Sequence, residues 1–363
     1  MKKMRFFLLV SLIFMLFSFR IFAADELAVK ISMPNGGAVA ITHTENIFYL
    51  PSAADIRSVV FTNEAPISYT VKGETKTLEK GEALDLTPAK TADARGAECY
   101  IVKIDFAGKK QTFTFYHAEQ IPSIFVSMSK ELSYIEGNKN NRDKEAEITM
   151  LDADGTIAYA ENGTKSEIKA RGNATFTYYK KPYQIKLGEK TALFGMEKAK
   201  TWILLANYTD QSAVRNAMAF TFGEMLDIPY NIDYRFADLY IDGEYRGLYM
   251  LTEKVQVGST RVDIEDLEKA NEDANDGRSG DAFSIVKQTD GEVIENTILS
   301  YYTYASGMES PTDITGGYIV ELDINRGLNE PSHFVTENGM VYTVKAPEYD
   351  VEKSCCQNDI SHL

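Results

Sequence analysis

The sequence predicts a chain of α+β class: an N-terminal immunoglobulin-like β-sandwich, then a domain in which strands, one helix and a hairpin follow in order. Three observations carry this. Residues Leu27 to Tyr116 break into short segments, LAVKISM, AVAITH, SVVFT, ISYTVKG, ECYIVKIDF and KQTFTFYH, with alternation or β-branched enrichment. Asn35-Gly36-Gly37, Lys72-Gly73 and Gly108-Lys109 separate them as turns, so five to seven short strands are expected. The block from Lys169 to Val255 then changes period, with KARGNATF, KKPYQIKL, LLANYTDQSAVRNAMAF and LYIDGEYRGLYMLTEKV in close succession.

The elements follow from the N-terminus. MKKMR, an apolar run Phe6–Phe19, Arg20 and IFAADE form a secretory signal peptide over 1–23. The run is too short for a stable span, which needs about 20 residues. The product is therefore expected to be secreted or at the cell surface, with no stable membrane span after cleavage. The β module is assigned to 24–118 and the second domain to 119–363. No Pro- or Ser-rich linker separates them, and IPSIFVSM (Ile121–Met128) opens the second as a strand. Arg171-Gly172-Asn173 is a turn, because Gly and Asn tolerate positive φ. In YQIKL, Tyr183, Ile185 and Leu187 share one face and Gln184 and Lys186 the other.

Ser212 to Asp227 reads as a helix with Val214, Met218, Thr221, Phe222 and Met225 along one stripe. Asp210 or Ser212 caps its start, and Ile228-Pro229 stops it. Asp242-Gly243 joins FADLYI and YRGLYMLTEKV as a hairpin. Glu265 to Asn275 is a short solvated helix, and the acidic stretch onward to Thr315 a loop or insertion. GGYIVELD and Met340–Lys345 are further strands.

The formal charge is −15, and loss of Lys2, Lys3, Arg5 and Arg20 with the signal makes the product more acidic still. Nucleic acid and anionic lipid are poor partners for such a surface, since counterion release needs clustered cations. A protein substrate or a cell-surface partner suits it better. Three cysteines, Cys99, Cys355 and Cys356, leave stability to core burial rather than to disulfides. GxGxxG, GxSxG, HExxH and zinc spacings do not occur, and none of His43, His117, His333 and His362 sits in an HRD.

Strand, strand, helix, hairpin is the order of a protein kinase small lobe. The RGNAT, KKPY, LLANY, RN and GEYRGLYMLTEK segments, continued by TGGYIVELD and VYTVKAPE, resemble the spore-coat protein H (CotH) family of atypical protein kinases. The resemblance spans roughly Ile121 to Glu348. It implies an ATP- and magnesium-dependent transfer to Ser or Thr of surface or coat proteins, without a Gly-rich phosphate loop. The family continues past the KAPE strand into a large lobe with a catalytic-loop-like segment and a W-D-(F/L)-D segment. The sequence ends at Leu363 after DVEKSCCQNDISHL. A kinase-like domain lacking most of its large lobe is therefore expected, C-terminally truncated and inactive as this chain. The expected catalytic and metal-binding aspartates are missing, and the catalytic residue stays unknown.

Candidate residues remain for binding. Phosphoryl transfer needs cations on the phosphates and carboxylates on the metal. Arg171 on the tight turn and Lys186 on the polar strand face are the first cations. Arg215 sits in the first helical turn, where the macrodipole disfavours a cation. Either an anion binds beside it, or it pairs with a nearby Asp or Glu. Lys180 and Lys181 read as solvated lysines ahead of Pro182. By the resemblance, Glu253 and Val255 in LTEKV mark the hinge whose backbone binds adenine; the plain alternative is a strand end with an exposed Glu-Lys pair. Glu321 and Asp323, two apart in a strand, share a face and can reach one metal or simply solvate that face. A non-catalytic surface adhesin or scaffold is the rival reading of the whole chain.

Overall fold

The computed structural model describes residues 27–279, 282–289, 293–294, 297–298, 301–323, 333–336 and 338–347. The expected signal peptide over 1–23, the end of KAPE, Cys355, Cys356 and His362 lie outside them. The chain divides into two compact units, Met1–Asp227 with Asn231–Glu253, and Ile228–Tyr230 with Lys254–Leu363. Within the described residues β-strands dominate and α-helices are few and short. No described helix is long and apolar enough to cross a membrane.

The first unit begins with β1 (Ala28–Ser32), β2 (Ala38–Thr42), β3 (Ile47–Leu50), β4 (Val59–Phe61), β5 (Ile67–Val71), β6 (Glu74–Leu78), β7 (Ala83–Leu84), β8 (Lys90–Ala92), β9 (Glu98–Phe106) and β10 (Lys109–His117). They form a sheet β2-β1-β4-β7 and a sheet β3-β10-β9-β5-β6, to which β8 adds on β9. Both bury alternate residues in one core, Val29, Ile41 and Phe61 from one sheet meeting Phe48, Val102 and Phe115 from the other. The ten strands outnumber the five to seven expected: β3 (IFYL) and β6 (ETKTL) fall outside the segments read as strands, and β7 and β8 are two- and three-residue pieces with no readable periodicity. Cys99 is a buried free thiol.

The same unit continues through β11 (Ser123–Ser127), helix α1 (Leu132–Gly137), β12 (Asp143–Leu151), β13 (Ile157–Ala160), β14 (Ser166–Ala170), β15 (Tyr183–Thr191), β16 (Ala199–Leu205), helix α2 (Arg215–Met225), β17 (Tyr234–Ile241) and β18 (Glu244–Glu253). The sheet runs β11-β17-β18-β16-β15-β14-β12-β13, and β11 also pairs with β12. That pairing, Ser123↔Leu151 to Ser127↔Glu147, closes the sheet on itself. Closure removes the free edges an open sheet would present. Ile148, Ile168, Ile185, Trp202, Leu204, Leu239 and Leu251 fill the interior.

The core of the first two sheets does not stop at residue 118. Phe125, Leu151 and Tyr240 of the closed sheet are buried in it. The Asp242-Gly243 turn, with φ of 51° and 84°, is the expected hairpin. The Gly243 carbonyl accepts the Thr42 N–H at 3.0 Å, and a Cβ on Gly243 would overlap the Ala40 carbonyl. The glycine thus serves both the turn and the close approach of β2.

Helix α2 differs from expectation in length and in the face it packs. It starts at Arg215, because Ala213 takes φ 58° and breaks the helix before it. The residues it buries are Ala217 and Gly223. Met218, Phe222 and Met225, predicted to face the core, are 66%, 59% and 74% exposed. The residues the helix buries are thus its small ones, and the large side chains point outward. Asn231 Nδ2 donates to the Phe220 carbonyl, and the Thr221 and Tyr234 hydroxyls lie 3.2 Å apart, which fixes that orientation.

The second unit contains helix α3 (Leu267–Ala274), capped by Asp266, whose carboxylate accepts the Lys269 N–H. Its strands are β19 (Ser284–Thr289), β20 (Val293–Ile294), β21 (Thr297–Ile298), β22 (Tyr301–Ser306), β23 (Ile319–Leu322), β24 (His333–Val335) and β25 (Val341–Ala346). They form a sheet β19-β22-β24-β25-β23 and a separate pair β20-β21. The stretch expected as loop therefore carries β19 to β22. SIVKQT and YYTYAS are rich in β-branched and aromatic residues, which outweighs the surrounding charge.

Candidate functional site

β14 brings a charged row to the outside of the closed sheet. Ile168 and Ala170 are buried, so Glu167, Lys169 and Arg171 fall on the outer side, as Gln184 and Lys186 of β15 do. The Arg171 N–H donates to the Pro182 carbonyl at 3.0 Å, one step beyond the Ala170↔Tyr183 pair. The chain then turns at Gly172, with φ 103°. A Cβ there would overlap Thr175 Oγ1 and crowd the Phe176 nitrogen at 3.3 Å. Ala174–Thr177 forms a single 3-10 turn, held by the Thr177 hydroxyl donating to the Ala174 carbonyl at 2.7 Å.

Arg171 is part-buried, and among the described residues no hydrogen bond or ion pair reaches its guanidinium. Burial alone pushes its pKa down, with no carboxylate acting to restore it. Removing an ion from water costs several kcal/mol unless a counter-charge compensates. The chain has many carboxylates, yet among the described residues none is placed here.

Lys186 shares the outer face but not the place. It stands opposite Glu167, whereas Arg171 stands opposite Pro182, four residues along the same strand pair or roughly 13 Å. Glu167 is held by Arg142 at 3.1 Å. Lys169, opposite Gln184, lies between the two cations. Arg171 is thus the centre of the site and Lys186 a peripheral charge.

Arg215 has its anion within the chain. Its Nε lies 3.7 Å from Asp210 Oδ1, and its backbone N–H donates to Asp210 Oδ2 at 2.8 Å. Asp210 also accepts the Ser212 hydroxyl at 2.6 Å. The Ser212 hydroxyl first, then the Arg215 N–H, hold the carboxyl below its usual range. Asp210 occupies the helix start that an external anion would use. Of the two alternatives for Arg215, the internal pair with Asp210 is the one present.

Lys180 and Lys181 are not solvated lysines. Lys180 Nζ donates to the Leu248 carbonyl at 2.6 Å and sits 4.3 Å above the Tyr249 ring. Gly247, with φ 100°, makes room, since its Cβ would press on Lys180 Cε and Nζ at 3.4 Å. Lys181 Nζ donates to the carbonyls of Phe176 at 2.9 Å and Tyr178 at 3.2 Å. The second glycine of GEYRGLY, spaced from KKPY, was the sequence signal for these lysines; it becomes readable only once β18 is known to lie across from them.

Glu253 is buried at the end of β18, opposite Trp202. Its N–H donates to the Asp233 carbonyl at 3.3 Å, and its Oε2 accepts the Asp233 N–H at 3.4 Å. It ties β17 to β18 and is not an exposed strand-end carboxylate. Val255 is exposed in the second unit, and the boundary between units falls between Glu253 and Lys254. Glu321 and Asp323 also belong to the second unit. Glu321 Oε2 is 3.2 Å from Lys345 Nζ, and the Asp323 N–H donates to the Val341 carbonyl. Among the described residues no group of three His, Cys, Asp or Glu comes together as a metal site. Glu321 is thus committed to Lys345, and no third such residue joins it and Asp323 among the described residues.

No curated protein matches the chain. Residues 168–313 match the model of the CotH kinase protein family. The match is narrower than the Ile121–Glu348 span of the motifs. It includes Arg171, Lys186, Arg215, Glu253 and Val255, and leaves Glu321 and Asp323 outside. Over this segment, about 40% of the chain, the sequence is similar to the CotH kinase protein family.

Proposed function

We propose that this chain is an exported protein of the CotH kinase type that binds the phosphates of ATP at the loop that begins at Arg171; the type's reaction is phosphoryl transfer to Ser or Thr of surface or coat proteins, and this chain is inactive in it because the expected catalytic and metal-binding aspartates are missing. The observation that carries the reading is the part-buried, uncompensated guanidinium of Arg171 inside the family segment. An anion is what such a group lacks, and a phosphate supplies it with charge-assisted hydrogen bonds. The strand, strand, helix, hairpin order of a kinase small lobe agrees with it. So does the unit boundary after Glu253, where the family places its hinge.

ATP supplies the transferable phosphoryl group; this chain's part is to orient it. Arg171 would hold a phosphate, Lys186 and Lys169 would add longer-range attraction, and the Gly172 turn would keep the loop backbone close to the ligand. No catalytic step is assigned to Glu321 and Asp323. That pairing of Glu321 with Lys345 is what favours the second reading, a non-catalytic surface adhesin or scaffold.

ATP binding, with labelled-phosphate transfer from ATP to a basic Ser/Thr-rich test protein measured beside it, separates the two. ATP binding that Arg171→Ala removes, with transfer at the no-enzyme blank, supports the kinase-type reading. Wild-type chain with neither transfer nor ATP binding supports the scaffold.

A further inference from the structure

The loop that begins at Arg171 is not self-supporting. Its 3-10 turn is fastened by Lys181, whose ammonium accepts no bond and gives two, to the Phe176 and Tyr178 carbonyls. The Lys181 carbonyl in turn accepts the Tyr249 hydroxyl at 3.0 Å. Tyr249 lies under Lys180, and Lys180 is fixed on the Leu248 carbonyl. Asp238, buried on β17, is the carboxylate whose charge acts on Lys180. Asp238 accepts the Tyr245 hydroxyl at 2.8 Å. The Tyr245 ring stacks at 4.4 Å on Tyr49, which belongs to β3 of the first two sheets. The Tyr49 carbonyl also accepts the Tyr240 hydroxyl at 3.1 Å.

We propose that the N-terminal sheets act as a positioning element for the Arg171 site: Tyr49 holds the Tyr245–Asp238–Lys180 group, and Lys180 and Lys181 hold the loop that presents Arg171 to a phosphate. The inference rests on the reading of Arg171 as a phosphate-binding residue. Two of the links are charges of opposite sign, Asp238 buried and Lys180 part-buried. A buried carboxylate such as Asp238 is costly to displace from its hydrogen-bond donor, because that strands a charge out of water. A group of that kind has few arrangements, so it transmits position better than a loop contact does. The N-terminal sheets are then a working part of the binding unit rather than a spacer.

Continuous contact is not in itself coupling, so the test is a double-mutant cycle on the full chain. The probe is inorganic tripolyphosphate, titrated by calorimetry, with thermal unfolding measured alongside. Tyr245→Phe removes one hydroxyl and keeps the stack, Lys180→Met removes the ammonium, and Lys76→Met on exposed β6 is the control. Tyr245→Phe and Lys180→Met are each expected to weaken tripolyphosphate binding about threefold to tenfold. The double variant is expected to weaken it no more than the worse single one, with Lys76→Met unchanged. A purely structural role would lower the unfolding temperature and leave the affinity alone, and that outcome overturns the proposal. Additive effects also overturn it. Arg171→Ala is the separate arm: binding unaffected by it defeats the phosphate reading itself, whereas binding lost there but intact in the other variants defeats only the positioning claim. Should Lys180→Met fail to fold, amide exchange at Asn173 to Tyr178 in Tyr245→Phe decides. Faster exchange supports the proposal, and unchanged exchange overturns it.

Discussion

Arg171 and Arg215 stand in the same family segment, each beside a tight turn, and the structure treats them oppositely. Arg215 is solvent-exposed and has Asp210 at 3.7 Å, with the same carboxylate capping its helix. Arg171 is part-buried and has no counter-charge among the described residues. The difference teaches which of two equally suggestive cations remains available to a ligand. A cation that water and an internal carboxylate already satisfy gains little from a phosphate. One that has lost its water without gaining a partner has most to gain.

Asp143 sharpens the comparison with the largest expected effect. Its carboxylate is fully buried like a misplaced charge, yet it accepts the Ser129, Lys130 and Glu145 N–H groups and the Ser129 hydroxyl. Burial raises its pKa, and the hydrogen bonds outweigh that, so the net shift is downward. Asp143→Ala should cost about 3 kcal/mol of unfolding free energy in denaturant titration. The sign in pH follows from the lowered folded pKa. Its stabilisation is complete above the unfolded value near 3.9 and is lost as pH falls through the folded one. Acid unfolding of the wild type should therefore steepen below about pH 4, and Asp143→Ala should flatten that limb.

Gly172→Ala comes next. The left-handed backbone and the overlap with Thr175 Oγ1 should cost about 1–2 kcal/mol and weaken phosphate binding together. Loss of stability without loss of binding would separate the turn from the site. Smallest is Asp210→Asn, which removes the charge from the start of α2. Far-UV circular dichroism should show slight fraying, and tripolyphosphate affinity should stay within about twofold. A larger loss would move the site from Arg171 to the helix start.

Much of this was readable before the fold was known. RGNAT and KKPY mark the segment that the family model matches, and Asp242-Gly243 is the turn its residues predict. The helix was readable in place but not in orientation. An apolar stripe predicts burial only when large residues fill the contact, and here Ala217 and Gly223 fill it. Closure of the sheet was not readable, because β11 pairs in parallel with β17, more than a hundred residues away. The state of Arg215 was not readable either. An internal carboxylate and a bound phosphate ask the same residues of a helix start, and only geometry distinguishes them.

The most direct test replaces Arg171 by Met and measures stability and phosphate binding on the same sample. A part-buried cation without a counter-charge is a burden on the empty chain. Arg171→Met should therefore hold or raise the unfolding free energy, by about 1 kcal/mol, while tripolyphosphate affinity falls about a hundredfold. Arg215→Ala, measured beside it, should change the affinity by no more than about twofold. Binding that survives Arg171→Met, or a loss of stability of several kcal/mol without any phosphate present, would contradict the assignment of Arg171 as the phosphate-binding group.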